Sequence, residues 1–434
     1  MTQFELHQGD CLEVMKTLPD NSVDSIVTDP PYGISFMGKK WDYDVPGVDV
    51  WAEALRLLKP GGHILVACGT RTQHRMVVNI EDAGFEIRDT VAWIYGSGFP
   101  KSLDVSKAID KMHGAERETV GQNTNGTGAQ PHKLNNHGTG DTGIGYMDGS
   151  GKVFDITAPA SDDAKQWSGW GTALKPAMEL WTLARKPLEG TVAANVLKHG
   201  TGGLHIDGCR VPTNEIITNH SRGSESAVSK GKYGDSTAQD THQTNGQALG
   251  RFPANVIHDG SDEVLAGFPH TASGLMKQSI VGGDFNVYGK QYPRDVETIG
   301  DSGSAARFFY CAKASKSDRE AGLREAARPT MGNGIGGQPN QQIENNRNHH
   351  PTVKPTALMQ YLCRLITPPG GTVLDPYTGS GSTGTAAMFE DFRFIGIERE
   401  LEYVEIATAR IEAARTREPL FLEADSQKTQ GGLF

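Results

Sequence analysis

One stretch near the C-terminal end, residues 371–398, constrains the fold more than any other part of the sequence. Residues 371–375 form an apolar run that predicts a strand, the glycines up to Gly384 predict a turn, and small residues after them predict a helix. Residues 392–398 indicate a second strand, ending in a carboxylate about 20 residues after the glycines, where an acidic group meets ribose hydroxyls. This order predicts an α/β fold with a nucleotide-type site at the carboxyl end of a parallel strand.

Other ligands of a glycine-rich loop compete with this interpretation. Gly379 and Gly384 have the spacing of a phosphate-binding loop, but Thr385 stands where such a loop requires a lysine. A dinucleotide-binding loop stays open on these residues alone.

A second informative segment lies at the other end of the chain. The tetrapeptide Asp29-Pro30-Pro31-Tyr32 directly follows the strand-like run of residues 23–28. Asp-Pro and Pro-Pro are common in turns, so an ordinary exit from a strand is one interpretation. The alternative is that Asp29 and Tyr32 carry chemistry at the end of the strand.

A third segment, residues 350–355 with the sequence HPTVKP, precedes a predicted helix. Apolar residues at 358, 359, 362, 365 and 366 recur at helical spacing, and a proline suits the first turn of a helix. Taken alone, this segment indicates a capped core helix.

Together, and in this order, the three segments DPPY, HPTVKP and DPYTGSGSTG resemble those of the beta-type amino-group DNA methyltransferases, which act on adenine N6 or cytosine N4. The resemblance covers roughly residues 1–110 and 348–415, and the middle of the chain only in patches. It implies a circularly permuted, doubly wound, Rossmann-like α/β sheet, with a large irregular target-recognition region inserted into it.

The resemblance also implies how the tetrapeptide acts. An exocyclic amine is a poor nucleophile, so it needs acceptors for its N–H groups, and Asp29 and the carbonyl of Pro30 are expected to supply them. The target base has to be flipped out of the duplex, and Tyr32 is expected to stack on it. Pro31 helps to fix the backbone between these groups. No metal and no covalent intermediate is expected.

By the same resemblance the cofactor is S-adenosylmethionine. Asp10 is expected to accept a hydrogen bond from its adenine amino group, and the N-cap of a helix at residues 12–15 is an equally good interpretation of this residue. The residues predicted to bind the cofactor are Asp10, Cys11, Thr352, Lys354, Asp375, Pro376, Tyr377, Gly379, Ser380, Gly381 and Glu398.

The predicted domains are residues 1–100 and 349–420 for the two parts of the core, residues 101–348 for target recognition, and residues 421–434 for a tail. Long stretches of the middle region are rich in Gly, Asn, Thr and His, which is typical of flexible loops. Residues 173–187 indicate a strand, and residues 191–197 a short helix.

Charge is distributed unevenly. The chain has a net charge of −10, whereas residues 171–235 and 301–350 each carry two more basic than acidic residues. A confined basic face for double-stranded DNA is therefore expected. The candidate DNA-binding residues are Lys39, Arg210, Arg251, Lys313 and Lys316. Lys313 and Lys316 also suit a solvated face.

Other features narrow the class of protein. No apolar run approaches membrane-spanning length, and the first residues are not a signal peptide. Five scattered cysteines favour reduced thiols in a cytoplasmic protein. A homodimer and a cognate restriction enzyme are possible partners. The resemblance favours adenine over cytosine, because the adenine enzymes of the family usually carry an aspartate at the first position of the tetrapeptide, which is Asp29 here. The alternatives are cytosine N4 as the target, an RNA or protein methyltransferase, or an inactive DNA-binding relative.

Overall fold

The computed structural model describes residues 3–34, 43–98, 102–124, 153–213, 250–272, 302–312, 318–321, 323, 348, 350 and 352–416. These residues belong to two compact units. The first unit comprises residues 1–95 and 178–434, and the second comprises residues 96–177. In the described part of the chain, none of the helices is both long enough and apolar enough to cross a bilayer.

A single large sheet organises the first unit. Its strands, in chain order, are β1 (Phe4–Gln8), β2 (Val23–Thr28), β3 (Leu58–Gly69), β4 (Glu86–Ile94), β7 (Met178–Arg185), β8 (Val256–His258), β11 (Tyr310–Cys311), β12 (Thr372–Asp375) and β13 (Arg393–Glu398). Their order across the sheet is β1-β13-β12-β2-β3-β7-β4-β8-β11. Strand β7 runs antiparallel to β3 and β4, and the other neighbouring pairs are parallel. The predicted α/β class is confirmed.

The centre of the sheet joins the two ends of the chain. Strand β12 pairs with β2 through Val373 and Ser25. All six residues of β2 are buried, as expected for a strand with neighbours on both sides and helices on both faces. The buried Asp24 of β2 is paired with Lys59 at 2.6 Å and accepts a hydrogen bond from the N–H of Thr372 at 2.8 Å.

Helices pack on both faces of this sheet. The α-helices described in the first unit are α1 (Cys11–Met15), α2 (Val48–Leu57), α3 (Gln73–Asp82), α6 (Val192–His199), α7 (Asp262–Gly267), α8 (Thr356–Ile366), α9 (Ser382–Phe389) and α10 (Leu401–Thr416). One core cluster includes the inner residues of α8, α9 and α10, and a second cluster lies under α2 and α3. Helix α9 is buried over almost its whole length, which explains its small residues.

Three strands of the sheet come from the region predicted to be an insertion. Strands β7, β8 and β11 complete one side of the sheet, and the predicted strand within residues 173–187 is confirmed as β7. The short helix predicted at residues 191–197 is confirmed as α6. An antiparallel pair, β9 (His270–Ala272) and β10 (Ser302–Ser304), lies apart from this sheet. Most of the glycine-rich stretches lie outside the described residues.

The second unit is small. It contains α4 (Val105–His113), the antiparallel strands β5 (Thr119–Thr124) and β6 (Val153–Thr157), and α5 (Asp162–Gln166). The buried Asp110 holds these elements together, because it accepts hydrogen bonds from Arg117, from the N–H of Ala160 and from Ser161. Although burial raises the pKa of Asp110, these hydrogen bonds and the charge of Arg117 hold it well below its usual range.

Candidate active site

Three of the predicted acidic residues lie at one edge of the sheet. Asp29 follows β2, Asp375 is the last residue of β12, and Glu398 is the last residue of β13. Because these strands are parallel neighbours, their carboxyl ends meet at the same edge. The fold therefore brings the tetrapeptide and the glycine-rich loop, which are far apart in sequence, to adjacent positions.

Asp29 sits in a compact polar cluster. The hydroxyl of Tyr32 donates to its Oδ1 atom at 2.6 Å, and the ammonium Nζ of Lys354 lies 2.8 Å from its Oδ2 atom. The same ammonium donates to the Tyr32 hydroxyl oxygen at 3.2 Å. The side chain of Lys354 is 8% exposed and that of Asp29 is 17% exposed, so little water screens this pair.

Glu179 completes the cluster, and it was not among the residues predicted from sequence. Its Oε2 atom lies 3.2 Å from Nζ of Lys354, and its side chain is 17% exposed. It is placed there by β7, where it is paired in register with Gly69 of β3 and Trp93 of β4. The sequence carried one signal: an acidic residue next to the apolar run that forms the rest of the strand.

The charges of the cluster shift one another's protonation. Burial lowers the pKa of Lys354, but the carboxylates of Asp29 and Glu179 outweigh burial and raise it above its usual value. Burial raises the pKa of Glu179, Lys354 lowers it and Asp29 raises it, with a net rise. Lys354 is therefore an ammonium ion at neutral pH, and Glu179 is easier to protonate than an exposed glutamate.

The ring of Tyr32 is held from several sides. Its backbone carbonyl accepts a hydrogen bond from Thr72 at 2.5 Å, and its ring contacts both core clusters. A Cβ atom at Gly69 would lie 3.2 Å from Cδ2 of the ring, so the absence of a side chain there lets the ring approach β3 closely. Burial, followed by the charges of Asp29 and Glu179, raises the pKa of the Tyr32 hydroxyl well above 10.

The glycine-rich loop lies beside this cluster. The N–H of Gly379 donates to Oε2 of Glu398 at 2.9 Å, and this contact joins the ends of β12 and β13. Gly379 has a φ of 52°, and a Cβ atom there would lie 2.9 Å from Nε2 of His350. Burial lowers the pKa of His350 to about 4, so its ring is neutral at pH 7.

Gly381 of the glycine-rich loop lies against helix α10. Its φ is 82°, and an added Cβ atom would lie 3.0 Å from Cα and Cβ of Ala407 in α10. A side chain at this position would therefore collide with α10.

Buried polar residues fix the shape of the loop. Asp375 accepts hydrogen bonds from the hydroxyls of Thr28 and Thr383, both at 2.6 Å, and from the N–H of Tyr377 at 3.0 Å. Arg410, which is 1% exposed, donates to the carbonyl of Ser380 at 2.5 Å and to its hydroxyl at 2.9 Å. Arg410 is a second residue that the sequence analysis missed.

The first loop of the chain joins the same edge. The N–H of Gly9 donates to the carbonyl of Glu398 at 3.0 Å, and Asp10 caps α1 by accepting from the N–H of Leu12 at 3.0 Å. The N-cap interpretation of Asp10 is confirmed. A hydrogen bond joins the side chains of Cys11 and Tyr377, and it connects this loop to the glycine-rich loop.

Most of the predicted cofactor residues thus lie at the ends of the adjacent strands β1, β13 and β12. Lys354 and Thr352 lie elsewhere. Lys354 contacts Asp29 and Glu179, and Thr352 is exposed, with its carbonyl 3.2 Å from Nδ1 of His350. The assignment of these residues to the cofactor stays a prediction.

The predicted DNA-binding residues are less informative. Arg210 pairs with Asp207 at 2.7 Å, and the guanidinium of Arg251 lies 4.6 Å from the ring centre of Phe308. An isolated antiparallel bridge between Val211 and Arg251 pairs the two segments that contain these arginines. Lys39, Lys313 and Lys316 lie outside the described residues. The predicted DNA contacts stay predictions.

The protein combines an α/β sheet of permuted strand order with two features on neighbouring parallel strands. These are a nucleotide-type loop and a charged Asp-Pro-Pro-Tyr site. A family model described as DNA methylase, covering N6 and N4 enzymes, matches residues 23–113 and 307–409. Over these two segments, which together make up less than half of its length, the chain is similar to this family of amino-group DNA methyltransferases.

Two curated relatives match a short part of the chain. The chain is 42% identical over 73 residues to the type II methyltransferase M2.DpnII of Streptococcus pneumoniae, which is 17% of this chain and 27% of the relative. It is 40% identical over 67 residues to the type II methyltransferase M2.MboI of Moraxella bovis, which is 15% of this chain and 24% of the relative. The matches thus span about a quarter of the length of these relatives.

Among solved structures, the cytosine-N4-specific PvuII DNA methyltransferase aligns with 94% of this chain and 86% of its own, at 13% identity. The TM-score of this alignment is 0.38.

Proposed function

We propose that this protein is an S-adenosylmethionine-dependent DNA methyltransferase that methylates the N6 atom of a flipped adenine in duplex DNA. One observation carries the proposal: Asp29, with Tyr32, and the glycine-rich loop of residues 375–381 lie at the carboxyl ends of the adjacent strands β2 and β12. A methyl donor at the loop and an amine at Asp29 would then be neighbours, which is what direct transfer requires.

The residues at this edge fit the chemistry of the proposed cofactor. Carboxylates of Asp10 and Glu398 stand at the ends of β1 and β13, where they suit the amino and hydroxyl groups of an adenosine. Gly379 and His350 provide a close backbone approach and a neutral ring beside it. When bound, S-adenosylmethionine would supply an electrophilic methyl group.

In the proposed mechanism the protein positions the amine. Asp29 and the carbonyl of Pro30 accept its N–H groups, which turns its lone pair towards the methyl donor. Lys354 holds the carboxylate of Asp29 in place, because its ammonium lies 2.8 Å from Oδ2. The ring of Tyr32 offers a stacking surface for the base. Pro31 holds the backbone between these residues.

The test is transfer of a tritiated methyl group to duplex DNA, tRNA and protein, followed by nucleoside analysis of the product. We expect N6-methyladenine in DNA alone. If the product is N4-methylcytosine, the target base is cytosine and not adenine. Label found in tRNA or protein alone would refute a DNA substrate. Long-read sequencing of DNA from a host that expresses the gene would give the recognition sequence. Asp29→Ala is the control for contaminating activity.

A homodimer, a cognate restriction enzyme and a cytoplasmic location stay predictions from the sequence. Sedimentation of the purified chain at several concentrations tests the first of these.

A further inference from the structure

The methylation proposed above leaves one proton to be removed from a buried site. A carbon–nitrogen bond forms at the target amine as the carbon–sulfur bond of the donor breaks, and the donor leaves as a neutral thioether. The amine nitrogen then carries a positive charge until it loses a proton. Asp29 is the acceptor nearest to the proposed position of the amine, but it has to be ionised again before the next turnover.

The structure offers a path away from Asp29. Oδ2 of Asp29 and Oε2 of Glu179 contact the same ammonium, at 2.8 Å and 3.2 Å. The other oxygen of Asp29 accepts from the hydroxyl of Tyr32, so Oδ2 is the one that faces Lys354. We infer that Asp29, Lys354 and Glu179 form a proton relay in which Glu179 receives the proton released by methylation.

Protons and charges are conserved along the relay. Protonated Asp29 gives its proton to Lys354 while Lys354 gives one of its own protons to Glu179. Asp29 ends ionised, Lys354 ends as the same ammonium ion, and Glu179 ends protonated. Oε2 of Glu179 is buried, and its side chain as a whole is 17% exposed, so water can take the proton only through the exposed part of the side chain. Glu179 thus acts through Lys354 and does not touch the base.

The surroundings of Glu179 suit a proton acceptor. The titratable groups that face it are Lys354 before α8, Asp29 and Tyr32 after β2, and Tyr95 after β4. Burial, and then the charge of Glu179, raise the pKa of Tyr95 to about 12, so that group stays protonated. Glu179 itself binds a proton more readily than an exposed glutamate, for the reasons given above.

This inference rests on the proposed function, and Glu179→Gln tests it. The matched control is Glu86→Gln, because Glu86 forms an ion pair with Arg185 at the other end of β7. We expect Glu179→Gln to lower the multiple-turnover rate of methylation by about 100-fold, the usual size of a general acid–base contribution. Cofactor affinity, measured by calorimetry, should stay within a few-fold in both variants.

The pH profile separates a relay from a packing role. The wild-type rate should fall towards acid along a one-proton limb centred above 4.5, the usual value for glutamate. Glu179→Gln should lose this limb, and Glu86→Gln should keep it. A lower rate with the wild-type limb, or an unchanged rate, would overturn the relay.

A second readout does not need activity. Carboxyl carbon NMR of the cofactor-free protein should show a glutamate that titrates above its usual range, that is lost in Glu179→Gln, and that titrates at lower pH in Asp29→Asn. An enzyme that transfers methyl groups without this coupling would refute the relay alone. Failure of the wild type to methylate any nucleic acid would refute the proposed function, and the relay with it.

Discussion

Two Asp-Pro segments end neighbouring strands of the sheet, and their surroundings give them different roles. In Asp29-Pro30-Pro31-Tyr32, the aspartate meets a tyrosine hydroxyl and an ammonium, and its side chain is 17% exposed. In Asp375-Pro376-Tyr377, the aspartate is 2% exposed and meets two threonine hydroxyls and a backbone N–H.

The comparison shows that position at a strand end does not by itself define a catalytic carboxylate. Both oxygens of Asp375 are used to hold β2, β12 and the start of α9 in place. Asp29 is held by partners at the site itself, Tyr32 and Lys354. We therefore expect the first segment to take part in catalysis and the second to stabilise the fold.

The largest expected effect is that of Asp29→Ala on activity. Loss of the acceptor for the amine should lower methyl transfer by about 1,000-fold, the size seen when one preorganised hydrogen-bonding group is removed. Cofactor affinity should stay within a few-fold. Calorimetry that shows cofactor binding lost in this variant, or turnover retained, would contradict the assignment.

Asp375→Ala should mainly affect stability. It leaves the hydroxyls of Thr28 and Thr383 buried without their acceptor, at a cost of about 3 kcal/mol in the free energy of unfolding. Urea unfolding measures this, with Asp29→Ala as the comparison. Equal stability of the two variants would remove the distinction between the segments.

The tyrosines of the two segments should also differ. Stacking on an aromatic ring is worth roughly 1–3 kcal/mol per base, so Tyr32→Ala should lower turnover about tenfold or more. Tyr32→Phe should retain most of it, and Tyr32→Trp likewise, because the ring face matters more than the hydroxyl. 2-Aminopurine fluorescence at the target base, recorded beside activity, reports base flipping. If the alanine variant is as active as the phenylalanine variant, Tyr32 is a packing residue.

Substitutions around the glycine-rich loop should weaken cofactor binding. Glu398→Ala removes the expected ribose contact and the acceptor for Gly379, and we expect the dissociation constant to rise several-fold. Gly381→Val should raise it too, through displacement of the loop from Ala407 and strain at a positive φ. Unchanged binding in both variants would show that the loop does not bind the cofactor.

A further expected effect is a pH dependence of stability. Burial outweighs the hydrogen bonds of Asp375 and raises its pKa to about 6, from 3.8. The folded state binds the proton of Asp375 more tightly than the unfolded state does. The protonated carboxyl group therefore contributes fully to stability below pH 3.8, the pKa of the unfolded chain, and this contribution is lost as the pH rises through about 6. From pH 4 to pH 7 the stability of the wild type relative to Asp375→Asn should fall by on the order of 2 kcal/mol. A constant difference would contradict the shifted pKa.

Much of this edge could be predicted from the sequence because its residues are close along the chain. The strand, loop and helix around Gly379 follow from local patterns, as does the cap at Asp10. Glu179 and Arg410 could not be predicted, because their partners Lys354 and Ser380 are brought to them only by the fold. The sequence around Asp375 predicts a ligand-binding residue. Its hydrogen bond with Thr28 could not be predicted, because that threonine lies in a strand far away along the chain.

The hydrogen bond between the side chains of Thr28 and Asp375 joins residues that are 347 positions apart in the chain. At a synthesis rate of about 5–20 residues per second, roughly 20–70 s separate the two residues at the ribosome. During that interval β2 lacks the neighbour on which its carboxyl end depends. We expect chains stalled before residue 370 to bind no cofactor, so a prematurely terminated product would be inert despite its intact tetrapeptide.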